Sequence, residues 1–458
     1  MPEYLAPGVF VEEVSFRSKS IEGVPTSTTG FAGLTRFGPV CYRDAAIQGP
    51  LSCEPRLITS FTEFERVYGG LEPLELDGEE RIPYLAHAAR TFFENGGKRL
   101  YVSRVVAPRA GSGASAWGVA SRAIPVSDGT DTASATWWAR WPGAMGNCKV
   151  VTHIVRSKNL AYTHTEWGIQ AQRLKAGALV EVITDGALPG NPVPDGNDPL
   201  SIANLRVVRV DSEGEQTFIQ ADGTEGTPGT NDAIQAIEMA VTVSVGPERI
   251  EGYAELAASP EQKRYIGRIL QQEDPEDEDA PVWFDWDPTA FTNTEVMPIY
   301  LAVALQTNTS PRLAGGHDGA LPSPDDLAGK EADLDNPAVK ATGLEALAEV
   351  TDIAIVALPD SGDMPTKLMT QVAAQKLITH AENCRYRIAV VDGPKGSSMN
   401  EIRDFRSQFD SKYSALYYPW IKIFDPTERF SQGTPPKQLL LPPSGFVAGI
   451  YARSDIDR

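Results

Sequence analysis

The spacing of hydrophobic residues changes several times along the chain, and the changes divide it. In VFVEEVSF (9–16), an extended strand puts Phe10, Val14 and Phe16 on one face and Val9 and Val11 on the other. With apolar groups on both faces, the stretch requires a partner sheet in its own chain or in another, since alone it would not offset its ordering entropy. TSTTGFAGLTRFGP (26–39) predicts a short strand closed by a Gly-Pro turn. In PRLITSFTEFERVYGG (55–70) a strand runs into a helix. Ser60 and Glu63 there have capping-box spacing, Phe61, Phe64, Val67 and Tyr68 share a face, and Gly69-Gly70 is the stop. Tyr84, Leu85, Ala88, Ala89 and Phe92 recur at helical spacing as far as ENGG (94–97), and KRLYVSRVVA (98–107) follows as a strand. Residues 23–107 read as one β-α-α-β unit.

From about 108 to 300 the texture is different: turn-rich segments such as SDGTDTASATWWARWPGAMGN and DGALPGNPVPDGNDP separate short alternating runs, among them KVVTHIV (149–155) and ALVEVIT (178–184). This region is expected to be a β-rich insertion facing outward. Near 340 the α/β order returns. TDIAIVALP (351–359) and YRIAVVDGP (386–394) are continuous apolar runs of the kind that buried parallel strands require. Between them Met369, Ala373, Leu377 and Ala381 form a helical stripe with Pro365 near its start; EIRDFRSQF (401–409) predicts a further helix and SALYYPWIKIF (414–424) a further strand. The fold class expected is a multidomain α+β or α/β chain. Residues 1–22 are an extended N-terminal strand arm, 23–107 and 301–458 the two parts of a discontinuous α/β domain, and 108–300 its β-rich insertion.

A chain of 458 residues accommodates two or three domains at roughly 150 residues each. Its net charge of -20 argues against nucleic acid or an anionic membrane as a direct partner. No signal-peptide pattern and no apolar run of roughly 20 residues is present, so direct membrane insertion is not expected and synthesis in the cytoplasm is. Cys41, Cys53, Cys148 and Cys384 form no CxxC pair and are expected to be reduced, mostly buried thiols.

The usual constellations of chemistry are missing: there is no Walker loop, GxGxxG, HExxH or GxSxG, and His87, His153, His164, His317 and His380 have no metal-ligand spacing. The expectation is a protein that is not an enzyme, with no catalytic, cofactor-binding or metal-binding residue to name. Two alternatives stay open. Asp360 and Asp392 close the two buried strands, at the edge where open α/β sheets bind ligands, and would center an α/β enzyme. Without a phosphate loop beside them, turn and helix-capping roles are expected instead. A surface adhesin would use the middle region. Trp137, Trp138 and Trp141 read as a buried aromatic cluster rather than a carbohydrate platform, and the acidic run EDPEDEDA (273–280) as a solvated loop without the ligand alternation or glycine of a calcium site.

Several stretches taken together carry a resemblance: YLAPGVFVEEV (4–14), TSTTGFAGLTRFGP (26–39), AMGN (144–147), LAGGHDG (313–319), ALYYPWIKIFDP (415–426) and PPSGFVAGIYARSD (442–455). In this order the chain resembles the contractile tail sheath proteins of phage tails and phage-tail-like contractile injection systems. The resemblance implies a structural subunit that stacks as hexameric rings around an inner tube and contracts to drive the tube through a target envelope, with no cofactor. It implies that the arm, through Val9, Phe10, Val11, Val14 and Phe16, pairs with a sheet of a neighboring subunit, with Gly23 and Pro25 shaping the linker. The α/β parts would form the inner sheath domain near the tube, with Lys395, Arg403 and Arg406 as tube-facing candidates, and the insertion would face solvent. Implied partners are neighboring sheath subunits, the inner tube protein, baseplate and terminal cap proteins, and a sheath paralogue. Assembly would take place in the bacterial cytoplasm, the product being a phage tail or a released extracellular particle. Similar proteins continue into a C-terminal arm beyond the point where GIYARSDIDR closes this sequence, and a chain lacking that arm is expected to polymerise poorly.

Overall fold

The computed structural model describes residues 26–41, 54–188, 193–196, 198–246, 249–273, 275–308, 311–336, 339–428 and 437–456. The expected arm, with Val9, Phe10, Val11, Val14 and Phe16, and its linker residues Gly23 and Pro25 lie outside the described residues.

Strands β1 (Thr29–Leu34), β2 (Arg56–Ile58), β3 (Leu100–Val105), β4 (Ile355–Ala357), β5 (Ile388–Asp392) and β6 (Ser414–Tyr417) form one sheet in the order β6-β5-β4-β1-β3-β2. β1 lies parallel between β3 and β4, with Thr29 opposite both Leu100 and Ile355. β5 and β6 extend the parallel order, and β2 closes the other edge antiparallel to β3. Segments from both sides of the middle region therefore share one sheet. Helices α1 (Phe61–Tyr68), α2 (Tyr84–Glu94), α3 (Lys367–Cys384), α4 (Met399–Ser407) and α5 (Ser444–Ile456) cover it. Phe31, Val102, Ile355, Ala357 and Val390 pack with Phe64, Leu85, Phe92 and Ala448 of α1, α2 and α5. Ala32, Val105, Val356, Ala389 and Val391 pack on the other face with Ala374, Leu377, Ile378 and Phe405 of α3 and α4. Because strand side chains alternate and both faces are covered, the strand sequences are mostly apolar, and the buried exceptions in β3, Ser103 and Arg104, donate to backbone oxygens.

Local signals explain most helix starts. Ser60 Oγ accepts the Glu63 N–H at 3.2 Å, but the Glu63 carboxylate turns back to the N–H and hydroxyl of Thr59 at 2.9 Å, one residue earlier than a capping box places it. A complete box, Ser398 with Glu401, opens α4, and Thr366 caps α3. The run 414–424, expected as one strand, is two: β6 ends before Tyr418-Pro419, and Ile421–Phe424 pairs instead with Gln438–Leu441. Pro419 has no N–H to give to a ladder. A hairpin, Leu74–Leu76 with Glu79–Arg81, stands between the first two helices and departs from the simple β-α-α-β reading.

In the middle region the strand Ala233–Val245 is central, pairing antiparallel with Lys149–Arg156, Leu179–Ile183 and Arg249–Leu256. Ser121–Ser127, Thr132–Ala139 and Val282–Asp285 make a separate three-stranded sheet. Ile124, Trp137, Val241 and Val243 share a core with the helix Met297–Thr307. The molecule is a mixed α/β protein with several sheets. Cys41 is disulfide-bonded, which corrects the expectation of reduced thiols throughout; Cys148 and Cys384 are free. No helix among the described residues is long and apolar enough to cross a membrane.

Candidate functional site

The carboxyl edge of the parallel sheet gathers the most unusual side chains. Asp360 follows β4 and Asp392 ends β5, and both are buried. Asp360 Oδ2 accepts the Leu34 N–H at 2.8 Å, and the N–H groups of Tyr84 and Leu85 favor its charged form. Pro83 sits at the N-cap of α2 with no side chain able to bond there, and the first N–H groups of the helix act on the Asp360 carboxyl instead. The approach demands Gly33, where a Cβ would lie 2.1 Å from Asp360 Oδ2. Asp392 Oδ1 likewise accepts the Ser444 N–H at 2.9 Å, at the start of α5. Burial pushes both carboxyls up to about 7, against the lowering effect of these N–H bonds. The geometry is that of helix caps delivered from the sheet edge.

Next to them, Lys395 Nζ donates to Tyr84 OH at 2.8 Å and to Asp363 at 3.0 Å, and Tyr84 OH donates to the same carboxylate at 2.8 Å. The ammonium also stands 5.5 Å and 5.8 Å from the ring centers of Tyr84 and Trp420. Burial is the main cause that raises the Tyr84 hydroxyl above its ordinary range, so it is not an activated phenolate. Lys395, expected to face a tube, is thus engaged within its own subunit. Arg406 turns onto its own helix end, donating to Phe409 O at 2.6 Å, while Arg403 is exposed on α4.

A second assembly joins AMGN to LAGGHDG. Asn147 donates to Gly316 O at 2.9 Å and accepts the Gly316 N–H at 2.8 Å. The buried Asp318 accepts the Ala144 N–H at 2.8 Å with one oxygen and the Glu75 N–H at 3.0 Å with the other. One carboxylate therefore ties three separate segments of chain. Asp318→Ala leaves two backbone donors without acceptors, and is expected to cost about 2–6 kcal/mol at roughly 1–3 kcal/mol per unsatisfied group. A lowered urea midpoint at unchanged slope would register it.

The acidic run is solvated only in part: Glu273, Glu276 and Glu278 are exposed, whereas Asp277 and Asp279 are half-buried. Asp279 forms a two-pronged ion pair with Arg56 of β2, Asp277 accepts the Tyr253 hydroxyl at 3.2 Å, and Glu276 pairs with Arg264 at 3.2 Å. Arg249 reinforces the junction by donating to the backbone oxygens of Arg66 and Asp279. The run fastens the middle region to the parallel sheet. Trp137 and Trp141 are buried as expected, whereas Trp138 lies on the opposite face of its strand and stacks on Trp283 at 5.7 Å. Among the described residues no group of histidine, cysteine and carboxylate side chains could hold a metal ion.

Sequence reasoning missed Arg387. It is buried and donates to Ile353 O at 3.1 Å, to Val350 O, and to His380 Nε2 at 2.9 Å. The one available signal was a cation immediately preceding a buried apolar strand. No protein-family model and no curated protein matches this chain.

Proposed function

We propose that this chain is the subunit of a contractile sheath that stacks in hexameric rings around an inner tube and shortens to drive that tube through a target envelope. What supports the reading is how the stretches that carry the resemblance are arranged. AMGN and LAGGHDG interlock through Asn147, Gly316 and Asp318. TSTTGFAGL supplies β1 at the center of the parallel sheet. ALYYPW and SGFVAGIY meet through a hydrogen bond between the Tyr417 and Tyr451 hydroxyls. Stretches far apart in sequence thus meet one another within the fold. The energy of such a device is a packing difference between two subunit arrangements separated by a barrier, with the arms keeping neighbors joined as the bodies move. Its partners are neighboring copies, the inner tube protein, baseplate and cap proteins, and a sheath paralogue; Arg403 and Arg406 are the exposed members of the proposed tube-facing set.

Electron microscopy of the protein co-expressed with its cognate tube and baseplate proteins tests this, beside the same set lacking residues 1–20. Striated cylinders of two lengths are expected, and their loss on deletion of the arm. Compact particles in both samples would overturn the proposal.

A further inference from the structure

The middle region holds a cavity of about 540 Å³, where the buried Leu179 and Ile237 stand beside the exposed Arg173, Lys175 and Lys263. Three observations set it apart. In a chain of net charge -20, none of these three cations forms an ion pair or a side-chain hydrogen bond among the described residues. Arg264, also in the lining, gives one Nη to Glu276 and the other to Ala254 O at 3.1 Å, which leaves its Nε buried without a partner. Finally, Arg173 and Glu255, both at the cavity, are two of the five non-glycine residues with positive φ among the described residues, at 62° and 56°. Such backbone costs on the order of 1–3 kcal/mol, persists only where its surroundings fix it, and collects at ligand sites. The walls are fastened to one another: Gln262 donates to Ala176 O, and a Cβ on Gly177 would lie 2.6 Å from Ser259 Oγ, so the loops on the two sides are held in place without a ligand.

We propose that this cavity binds an acidic sugar, a hexuronic acid residue of a saccharide. The ligand class follows from the lining taken as a whole. A plain inorganic anion would engage the cations but would be repelled by Glu238, Glu255 and Glu261, which line the same cavity, and would leave the apolar wall unused. A purely apolar ligand would strand the ammonium groups and the Arg264 Nε. A hexuronic acid answers each part: its carboxylate accepts from the cations, its hydroxyls donate to the glutamates, and the C–H face of its ring covers Leu179 and Ile237. Glu238 feels both signs of charge, since burial and Glu255 raise its carboxyl while Arg264 opposes them. The volume falls in the range of roughly 300–1,000 Å³ that small-molecule sites occupy. The site lies within one subunit, so the inference does not depend on whether the chain polymerises.

Calorimetric titration of the full chain with oligomers of galacturonic and of glucuronic acid, beside the neutral galactose and glucose oligomers of the same length, tests the site. Saturable one-to-one binding is expected for at least one acidic series, tighter than its neutral counterpart by about tenfold or more, the contribution of one hydrogen bond between charged groups. The double variant Lys175→Gln, Lys263→Gln should weaken that binding by about the same factor. Both lysines are exposed and unpaired, so the variant is expected to keep the wild-type circular dichroism and unfolding midpoint. Inorganic phosphate at matched ionic strength should not displace the sugar. Failure of both acidic series to bind, equal binding of the neutral oligomers, displacement by phosphate, or unchanged affinity in the lysine variant would each overturn the proposal.

Discussion

Replacing Arg387 with methionine is expected to destabilise the protein by about 3–5 kcal/mol. The guanidinium is buried at the entrance to β5 and holds three acceptors: the backbone oxygens of Val350 and Ile353 on the segment leading into β4, and the Nε2 of His380 on α3. Methionine fills a similar volume but donates nothing, so each acceptor keeps its desolvation cost and loses its compensation. A lysine at the same place could satisfy one acceptor at a time and should recover only part of the loss. Urea unfolding followed by far-ultraviolet circular dichroism measures both variants; a methionine variant within 1 kcal/mol of the wild type would show that the three bonds do not hold the strands in place.

Arg387 also marks where the sequence stops being legible. The runs 351–359 and 386–394 announce buried parallel strands because both faces of each strand are covered, and residues 353–358 and 388–391, ahead of Asp360 and Asp392, are apolar without a break. That these aspartates cap helices could be read from their position at strand ends. Which helices they cap could not, since Tyr84 and Leu85 belong to a segment brought alongside only by the parallel pairing of β1 with β4. Composition likewise registers the charge of the acidic run but not Arg56, Arg249 and Arg264, which come from three separate places in the chain. Pro419 was a readable signal, and it divides the last apolar run into strands of two different sheets.

The pH dependence of stability is expected to be shallow in the wild type and steep once the Asp360 and Asp392 carboxyls are replaced. Burial is the main cause that pushes His87 and His380 down to about 4, with the Arg387 charge adding to the effect at His380. In the unfolded chain each imidazole takes a proton near 6.5, while the native state refuses it until about 4. These two groups therefore remove stability as the pH falls from 6.5 to 4, by roughly 3 kcal/mol each at about 1.4 kcal/mol per pH unit. Asp360 and Asp392 act in the opposite sense. The folded protein retains their protons up to about 7, whereas the unfolded chain releases them near 3.9, so they remove stability as the pH rises across nearly the same interval. Two protons favor the native state while two favor the unfolded one, and the slopes largely cancel. The double variant Asp360→Asn, Asp392→Asn deletes one side of this balance and should lose several kcal/mol between pH 6.5 and 4.5, where the wild type changes little. Urea midpoints measured at pH 4.5, 5.5, 6.5 and 7.5 decide the matter: parallel profiles for the two proteins would mean that the carboxyls are not protonated in the native state, and the balance would then have to come from other groups.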